Sequence, residues 1–250
     1  MSKNRVLVIG AGMAGSDASY YLAEHGIEVV LAEVKSIKKN PSQKLEGFAE
    51  LVCTNSMKSM NPHSAHGLLK TEMNALKSLI LEKAKIAAVP AGDALAVDKE
   101  AFSIEITNAL TNHENITIVK TEVEDPLKLA ELHDCEQIIV ASGPLTTDKL
   151  SDWIQENIAQ DDFYFYDAIA PVVDADSLDY SKMYFKDRHK EIDDSADYLN
   201  APMNKEEYEA FVAALVDAEK VPPQDFEEYK FFEACLPIDL MAERGSETPR

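Results

Sequence analysis

The fold of this chain is decided by residues 5–33, RVLVIGAGMAGSDASYYLAEHGIEVVLAE. The stretch begins with an apolar, β-branched run at Val6–Ile9, which is typical of a buried parallel strand. Three glycines follow at the G-x-G-x-x-G spacing, and a helical pattern then extends to Gly26, a residue type that commonly ends helices. Residues 27–31 predict a second strand, which leads to Glu33.

Each glycine of this spacing has a physical role. Gly10 permits a tight turn, Gly12 lets a pyrophosphate approach the backbone, and Gly15 lets the helix pack close to the strand. The helix N-terminus then offers unpaired N–H groups to the phosphates. Glu33 follows at nearly the spacing of roughly 20 residues expected for an acid that binds a ribose hydroxyl. The stretch therefore predicts an ADP-binding βαβ unit, the alternative being a glycine-rich turn that serves only packing.

Composition and charge narrow the class of protein. The 250 residues are 46% hydrophobic and 28% charged, as in ordinary globular proteins. The net charge of −21 argues against tight, autonomous binding of nucleic acid, although it leaves room for a local basic groove. Three widely separated cysteines favour a reducing cytoplasm over a disulfide framework. Neither a signal peptide nor an apolar run of about 18 residues is present, so we expect a cytoplasmic protein without a membrane span.

Residues 34–66 lack a clear periodicity and carry an excess of basic side chains. A long irregular segment in a compact domain is usually functional or disordered. Its apolar residues Phe48, Leu51 and Val52 indicate docking onto the domain, whereas the basic residues can also be interpreted as a solvated loop. These basic residues are Lys35, Lys38, Lys39, Lys44, Lys58, His63 and His66.

The next segments continue an alternating α/β pattern. Helical spacing over residues 67–84 predicts a core-facing amphipathic helix, and Asp98 is a candidate N-cap of the helix that follows. Residues 138–141 predict another buried strand, which ends near Gly143. Ligands gather at the carboxyl ends of such strands, so Gly143 is a candidate site residue, with an ordinary turn glycine as the alternative.

The composition changes after residue 150 and becomes rich in aromatic residues. A helix is predicted over residues 206–219, with Phe211, Ala214 and Leu215 on its apolar side, and residues 231–238, FFEACLPI, place a cysteine before a proline. Residues 241–250 predict a polar loop. We therefore expect two modules, residues 1–150 and 151–250.

Several stretches together indicate a family. The sequence resembles the bacterial folate- and FAD-dependent tRNA (uracil-5-)-methyltransferases over essentially all 250 residues. The resemblance implies an α/β fold, with an incomplete Rossmann-like FAD-binding domain over residues 1–150 and an inserted α+β module over residues 151–250. Family members extend beyond the final RGSETPR, so the resemblance also implies a missing portion that completes both modules. Its markers are VIGAGMAGSDASYYLAEHGIEVVLAE, FAELVCTNS, GLLKTEMNALKSLI, VPAGDALAVDKEAF, ASGPLT, FYDAIAPVVDADSLD and FFEACLPIDLMAERG.

The resemblance implies a reaction and its partners. A one-carbon unit passes from 5,10-methylenetetrahydrofolate, through reduced FAD, to C5 of a T-loop uridine in tRNA, and NAD(P)H supplies the reducing equivalents. Three alternatives stay open: an inactive fragment of such an enzyme that binds at most the ADP moiety, the same chemistry on ribosomal RNA, and a generic FAD or NAD oxidoreductase.

Two cysteines are the catalytic candidates by motif match. Cys235 in FFEACLP would add to uracil as the nucleophile, and Cys53 in ELVCTNS would act near the flavin as its partner or as a base, with the roles exchangeable. The alternative for each is a small buried hydrophobe. The hypothesis requires the two thiols to meet in space. Cys135 matches no motif and is expected to pack in the core.

The cofactor residues also follow from the resemblance. Gly143 would border the cofactor, and Lys35 occupies a position where the family often has arginine. Asn55, Ser56 and Lys58 are weaker candidates beside Cys53, and no metal is predicted. The residues expected to bind FAD are Gly10, Gly12, Gly15, Glu33, Lys35 and Gly143.

Overall fold

The computed structural model describes residues 4–40, 42–52, 54–158, 173–187, 196–220 and 236–249. The chain divides into two compact units, Met1–Phe163 and Tyr164–Arg250. The division predicted at residue 150 stays a prediction. The helix that begins at Asp148 and ends at Asn157 passes through that position. The predicted aromatic run at residues 161–166 and most of FFEACLPI lie outside the described residues.

Strands and helices follow one another along both units. The strands are β1 (Arg5–Ile9), β2 (Glu28–Glu33), β3 (Ser56–Ser59), β4 (Ala88–Val89), β5 (Ala94–Val97), β6 (Ile116–Lys120), β7 (Gln137–Val140), β8 (Tyr184–Phe185) and β9 (Leu199–Asn200). The α-helices are α1 (Met13–Glu24), α2 (Ala65–Ala75), α3 (Leu79–Ile86), α4 (Lys99–Thr111), α5 (Pro126–Leu132), α6 (Asp148–Asn157), α7 (Lys205–Asp217) and α8 (Ile238–Arg244). Short 3-10 helices occupy Ala175–Ser177 and Tyr180–Lys182.

A four-stranded parallel sheet organises the first unit, in the order β6-β2-β1-β7. Side chains of β1 alternate between two apolar clusters, as the two-residue period of a strand requires. Val6 and Val8 join the cluster that includes side chains of α3 and α4, whereas Leu7 and Ile9 join the cluster that includes Leu150 of α6. Burial on both faces explains why the β1 sequence is continuously apolar, and the α/β, Rossmann-like architecture expected from the sequence is confirmed.

A smaller antiparallel sheet, in the order β3-β5-β4, takes one strand from the segment 34–66, whose sequence shows no clear periodicity. Strand β3 lies within residues 34–66, so the expectation of a wholly irregular segment is wrong there. The following helix α4 begins as predicted: the Asp98 side chain accepts a hydrogen bond from the N–H of Ala101 at 2.9 Å. That contact satisfies an N–H that has no partner within the helix.

The single helix predicted over residues 67–84 is wrong. The chain instead forms α2 and α3, separated by Lys77 in a left-handed conformation with φ of 58°. Ser78 then caps α3 by accepting a hydrogen bond from the N–H of Leu81. The break changes which face is buried: Leu68 is 53% exposed, whereas Leu79 is fully buried. The residues after the break face the core as predicted, and before it Met73 packs against the same apolar cluster.

The second unit contains a pair of contacting helices, α7 and α8. Asn204 and Glu207 form a capping box at the start of α7, and the Tyr208 hydroxyl donates to the carbonyl of Ser246 at 2.7 Å. Val212 and Ala242 are the buried residues of these helices. The helix predicted over residues 206–219 is confirmed as α7, but its predicted apolar side is wrong, because Val212 is buried and Phe211 and Ala214 are exposed. The polar loop predicted over residues 241–250 is wrong where α8 extends into it. No helix in the described ranges is long and apolar enough to cross a membrane.

Candidate nucleotide-binding site

The glycine turn between β1 and α1 is closed on one side and open on the other. Gly10 has φ of +99°, and a Cβ atom there would lie 2.6 Å from the carbonyl oxygen of Ala141. A Cβ on Gly15 would lie 1.8 Å from the carbonyl oxygen of Gly10. A Cβ on Gly12, at the N-cap of α1, would meet nothing within 4 Å. The open side therefore coincides with the helix N-terminus, where N–H groups can bind an anion.

Glu33 lies at the end of β2 and is bonded to this turn. One carboxylate oxygen, Oε2, accepts a hydrogen bond from the N–H of Ala11 at 2.5 Å, and Oε1 accepts one from the N–H of Lys35 at 2.8 Å. A carboxylate offers about four lone-pair positions. Two acceptor positions therefore remain for the hydroxyl groups of a ligand, and the backbone fixes the direction in which they point.

The segment after β7 completes the edge of the sheet. Strands β1 and β7 are parallel neighbours, so both end at this edge. Gly143 has φ of +77°, and a Cβ atom added there would have no other atom within 4 Å. Two residues earlier in the same segment, Ala141 lies against Gly10 of the glycine turn. The structure thus brings the glycine turn and the segment leading to Gly143 to the same edge, as predicted from the order of the strands.

The Lys35 side chain forms a buried ion pair. Its Nζ donates to the carbonyl of Gly47 at 2.6 Å and to Oε2 of Glu50 at 2.9 Å. The side chains of Lys35 and Glu50 are only 5% and 6% exposed. Burial alone would raise the pKa of Glu50, but the N–H groups of Lys44 and Leu45 and the Lys35 ammonium outweigh it and hold the pKa below its ordinary value.

The segment that leads to Cys53 is docked, as its apolar residues predicted. Its backbone contacts the glycine turn, because the N–H of Ala49 donates to the carbonyl of Ala11 at 2.8 Å. It also contacts α4: the N–H of Phe48 donates to Oγ1 of Thr107 at 2.8 Å, and Oγ of Ser103 donates to the carbonyl of Phe48 at 2.7 Å. Sequence reasoning missed the backbone role of Ala49, for which no side-chain signal exists.

Further contacts reach the end of this segment and the residues after Cys53. Nζ of Lys99 lies 3.4 Å from the carbonyl oxygen of Val52. Nδ2 of Asn55 donates to the carbonyl of Val97 at 3.0 Å, so this side chain is used within the antiparallel sheet. Ser56 and Lys58 belong to β3. The weaker predictions for these three residues stay predictions.

The two catalytic candidates, Cys53 and Cys235, lie outside the described residues, so their meeting in space stays a prediction. Cys135 is partly buried and packs against the apolar cluster that contains Leu7 and Ile9, as expected for a packing residue. Burial raises the pKa of its thiol, which disfavours the reactive thiolate.

Much of the basic segment is paired with carboxylates. In addition to Lys35, Nζ of Lys38 lies 3.4 Å from Asp148 and 3.5 Å from Glu122, and Lys39 pairs with Glu46. The interpretation as a solvated loop is therefore wrong for Lys35, which is buried, whereas Lys38 and Lys39 are 50% and 33% exposed and form their pairs at the surface. Within the part of the chain that the structure describes, no cluster of His, Cys, Asp and Glu side chains could hold a metal ion.

The amino-acid sequence is similar to those of several curated bacterial proteins that share one name. The chain is 46% identical to methylenetetrahydrofolate--tRNA-(uracil-5-)-methyltransferase TrmFO of Lactococcus lactis subsp. lactis (strain IL1403), over 99% of this chain and 54% of that protein. Proteins of the same name from Aquifex aeolicus (strain VF5) and Streptococcus pneumoniae (strain 70585) are 46% and 47% identical, over 98% and 99% of this chain and 54% of each protein. The chain spans about half the length of the curated relatives it matches.

The family described as glucose inhibited division protein A matches residues 5–250. That range contains the glycine turn, Glu33, all of the second compact unit and the first unit from residue 5 onward. Because the match extends over nearly all of the sequence, the chain belongs to the glucose inhibited division protein A family.

Proposed function

We propose that this chain binds FAD, with the ADP half of the cofactor at the glycine turn. The observation that carries the proposal is the contrast between Gly12, where a Cβ would enter open space, and Gly10 and Gly15, where a Cβ would collide with backbone. A cradle that is closed elsewhere and open at a helix N-terminus fits a diphosphate. Glu33 lies beside this opening with acceptor positions free for a ribose hydroxyl.

Each predicted cofactor residue has a definite part in this proposal. Gly10, Gly12 and Gly15 shape the diphosphate cradle, Glu33 accepts from the ribose, and Gly143 leaves space at the neighbouring strand end. Lys35 contributes its backbone N–H, which holds Glu33 in place. FAD supplies the redox chemistry when it is bound.

We further propose that the chain serves the transfer of a one-carbon unit from 5,10-methylenetetrahydrofolate to C5 of a T-loop uridine in tRNA, with NAD(P)H as the reductant. The support is the name shared by relatives at 46–47% identity and the presence of both cysteine motifs. The Cys235 thiolate would add to C6 of uracil, which makes C5 a nucleophile that bonds to the one-carbon unit as the unit leaves its carrier. Cys53 would then take the C5 proton, and the electrons of the C5–H bond would re-form the C5–C6 double bond as the Cys235 thiolate leaves C6. A hydride that originates from NAD(P)H would bring the transferred carbon to the methyl level.

Residues 1–150 form the cofactor module in this proposal, and residues 151–250 bring Cys235 to the substrate. The cysteine pattern supports a cytoplasmic location. Because this chain spans about half the length of the relatives, nucleotide binding and methyl transfer are two separate claims with separate tests.

The first test is a binding measurement on the purified protein. Isothermal titration with ADP and with FAD, together with the absorption spectrum, should show binding and a flavin band. Protein that stays colourless after incubation with FAD, and gives no heat with ADP, would contradict the proposal. Cys135→Ala should bind ADP and FAD as the unmodified protein does, because this thiol packs against the apolar cluster on the far side of β1 from α3 and α4.

The second test follows the methyl group. Label from methylenetetrahydrofolate should appear in tRNA in the presence of FAD and NADH or NADPH, and not in ribosomal RNA. Cys235→Ala should abolish the transfer and leave flavin binding unchanged, whereas Cys135→Ala should retain it. Full activity of Cys235→Ala would remove this residue as the nucleophile. Binding of FAD without any transfer would favour the alternative of an inactive fragment, which uses only the ADP-binding turn.

A further inference from the structure

The buried Lys35–Glu50 pair closes residues 44–50 into a compact loop. Oε1 of Glu50 accepts hydrogen bonds from the N–H groups of Lys44 and Leu45, at 2.7 and 3.0 Å. Oε2 of the same carboxylate receives the Lys35 ammonium, which also holds the carbonyl of Gly47. Both oxygens of Glu50 therefore accept hydrogen bonds. Lys35, two residues after β2, contacts the loop at both Gly47 and Glu50.

This loop and the glycine turn are connected by a ring of hydrogen bonds. The backbone N–H of Lys35 donates a hydrogen bond to Oε1 of Glu33, and the N–H of Ala11 donates one to Oε2 of the same carboxylate. The carbonyl of Ala11 receives the N–H of Ala49, the residue before Glu50, and Glu50 returns to the Lys35 ammonium. Both backbone groups of Ala11 are thus fixed. Ala11 lies between the glycines that shape the cradle, so this ring sets the orientation of the peptide beside it.

The burial of the pair gives the ring its rigidity. A charge that loses its partner in a buried position is strongly unfavourable, so each member of the pair depends on the other. An exposed pair has no such dependence. The same segment supplies the comparison, because Lys39 and Glu46 form an ion pair in which the side chains are 33% and 78% exposed.

We propose that Lys35 and Glu50 are a positioning pair for the nucleotide site. They hold Glu33 and the Ala11 peptide in the arrangement that accepts a ribose and a diphosphate, and they touch neither group themselves. The inference rests on the proposed binding of the ADP half of FAD at this turn. It assigns the Lys35 ammonium to Glu50 and Gly47 and gives Glu50 a role that sequence motifs do not indicate.

The test compares ADP affinity among variants of the full 250-residue chain by isothermal titration. Lys35→Met and Glu50→Gln should each raise the Kd for ADP about tenfold, and the double variant should be no worse than either single one, because the two residues act as a unit. Lys35→Arg should stay within about threefold of wild type, since it preserves the charge. Lys39→Met, which removes the exposed pair of the same segment, should bind as wild type does.

Amide hydrogen exchange separates this inference from the proposed function. In protein without nucleotide, exchange in residues 44–50 should accelerate in Lys35→Met and Glu50→Gln. It should stay unchanged in Lys38→Met, because Lys38 pairs with Glu122 and Asp148, which lie outside this loop. If wild type fails to bind ADP, the proposed function is wrong, and the exchange rates still decide whether the pair holds the loop. Folded single variants with the Kd of wild type would overturn the positioning role. Glu50→Gln keeps oxygen and size, so it retains an acceptor for Lys44 and Leu45 if Lys35→Met does not fold.

Discussion

The carbonyl oxygen of Gly10 lies 1.8 Å from the position that a Cβ atom on Gly15 would occupy. These residues face each other across the turn from β1 into α1, and their approach fixes the helix against the end of the strand. At that separation the two atoms would overlap severely. Glycine at position 15 is therefore required by the packing of the turn, whether or not a ligand binds.

Replacing Gly15 and Gly12 by alanine separates packing from binding. Gly15→Ala should destabilise the protein by about 3 kcal/mol or more, because the added methyl group collides with backbone that cannot rotate away. Gly12→Ala should change stability by no more than about 1 kcal/mol, the usual range for an N-cap substitution, because its Cβ meets nothing. Urea unfolding measures both values.

Titration with ADP completes this comparison. Gly12→Ala should weaken binding more than about tenfold, because its methyl group fills space through which the diphosphate approaches the backbone. If Gly12→Ala binds ADP as wild type does, the open side of the turn is not the diphosphate site. If Gly15→Ala is as stable as wild type, the described packing of the turn is wrong.

Glu33→Ala should reduce both stability and nucleotide affinity. Removal of the carboxylate leaves the N–H groups of Ala11 and Lys35 without their acceptor, at a cost of about 1–3 kcal/mol for a buried donor. Glu33→Gln keeps an acceptor oxygen for one of these donors and should lose less stability. Thermal unfolding and ADP titration measure the two effects.

The comparison also tells the two roles of Glu33 apart. Glu28, at the other end of β2, supplies the matched control: its carboxylate pairs with Arg5, away from the glycine turn. Glu28→Gln should leave ADP affinity unchanged. Equal loss of affinity in Glu28→Gln and Glu33→Ala would show that charge at a distance, and not contact with the ligand, is responsible.

Stability should depend on the protonation of Glu50 under acid conditions. The folded protein holds the pKa of this carboxyl below its ordinary value of 4.5, so the unfolded chain takes up a proton first as pH falls. The stabilisation is therefore fully present above about pH 5 and is lost as pH falls through the lower pKa of the folded state. Urea unfolding between pH 7 and 3 should show less acid dependence in Glu50→Gln than in wild type. Parallel curves for the two proteins would contradict this assignment.

Asp17 connects two helices of the first unit. Its carboxylate on α1 accepts hydrogen bonds from Oγ of Ser78, at 3.0 and 2.9 Å, and from the N–H of Ile80 at 3.2 Å. Asp17→Ala should lower the free energy of unfolding by about 1–3 kcal/mol, because it leaves partly buried donors unpaired. Asp152→Ala, at an exposed position on α6, should stay within about 0.5 kcal/mol of wild type. Equal losses in both variants would rule out a specific link between α1 and α3.

Local sequence signals predicted much of the first unit. The apolar run of β1, the glycine spacing, the end of α1 near Gly26 and the Asp98 cap each depend on residues that are neighbours in the chain. Such signals act through backbone conformation and short-range hydrogen bonds, so they can be read without knowledge of the partners. The break at Lys77 was not predicted, because the apolar pattern continues across it. A lysine in the left-handed conformation is not marked by any feature of the local sequence.

Sequence alone determined the βαβ unit, the glycine turn and the position of Glu33, because strand, turn and helix preferences are properties of consecutive residues. Only the tertiary structure decided that the Lys35 ammonium meets Glu50, that Ala49 binds the carbonyl of Ala11, and that Leu68 faces outward while Leu79 is buried. These partners are separated along the chain and come together only when the sheet and helices pack, and the choice among possible partners is then made by burial and geometry.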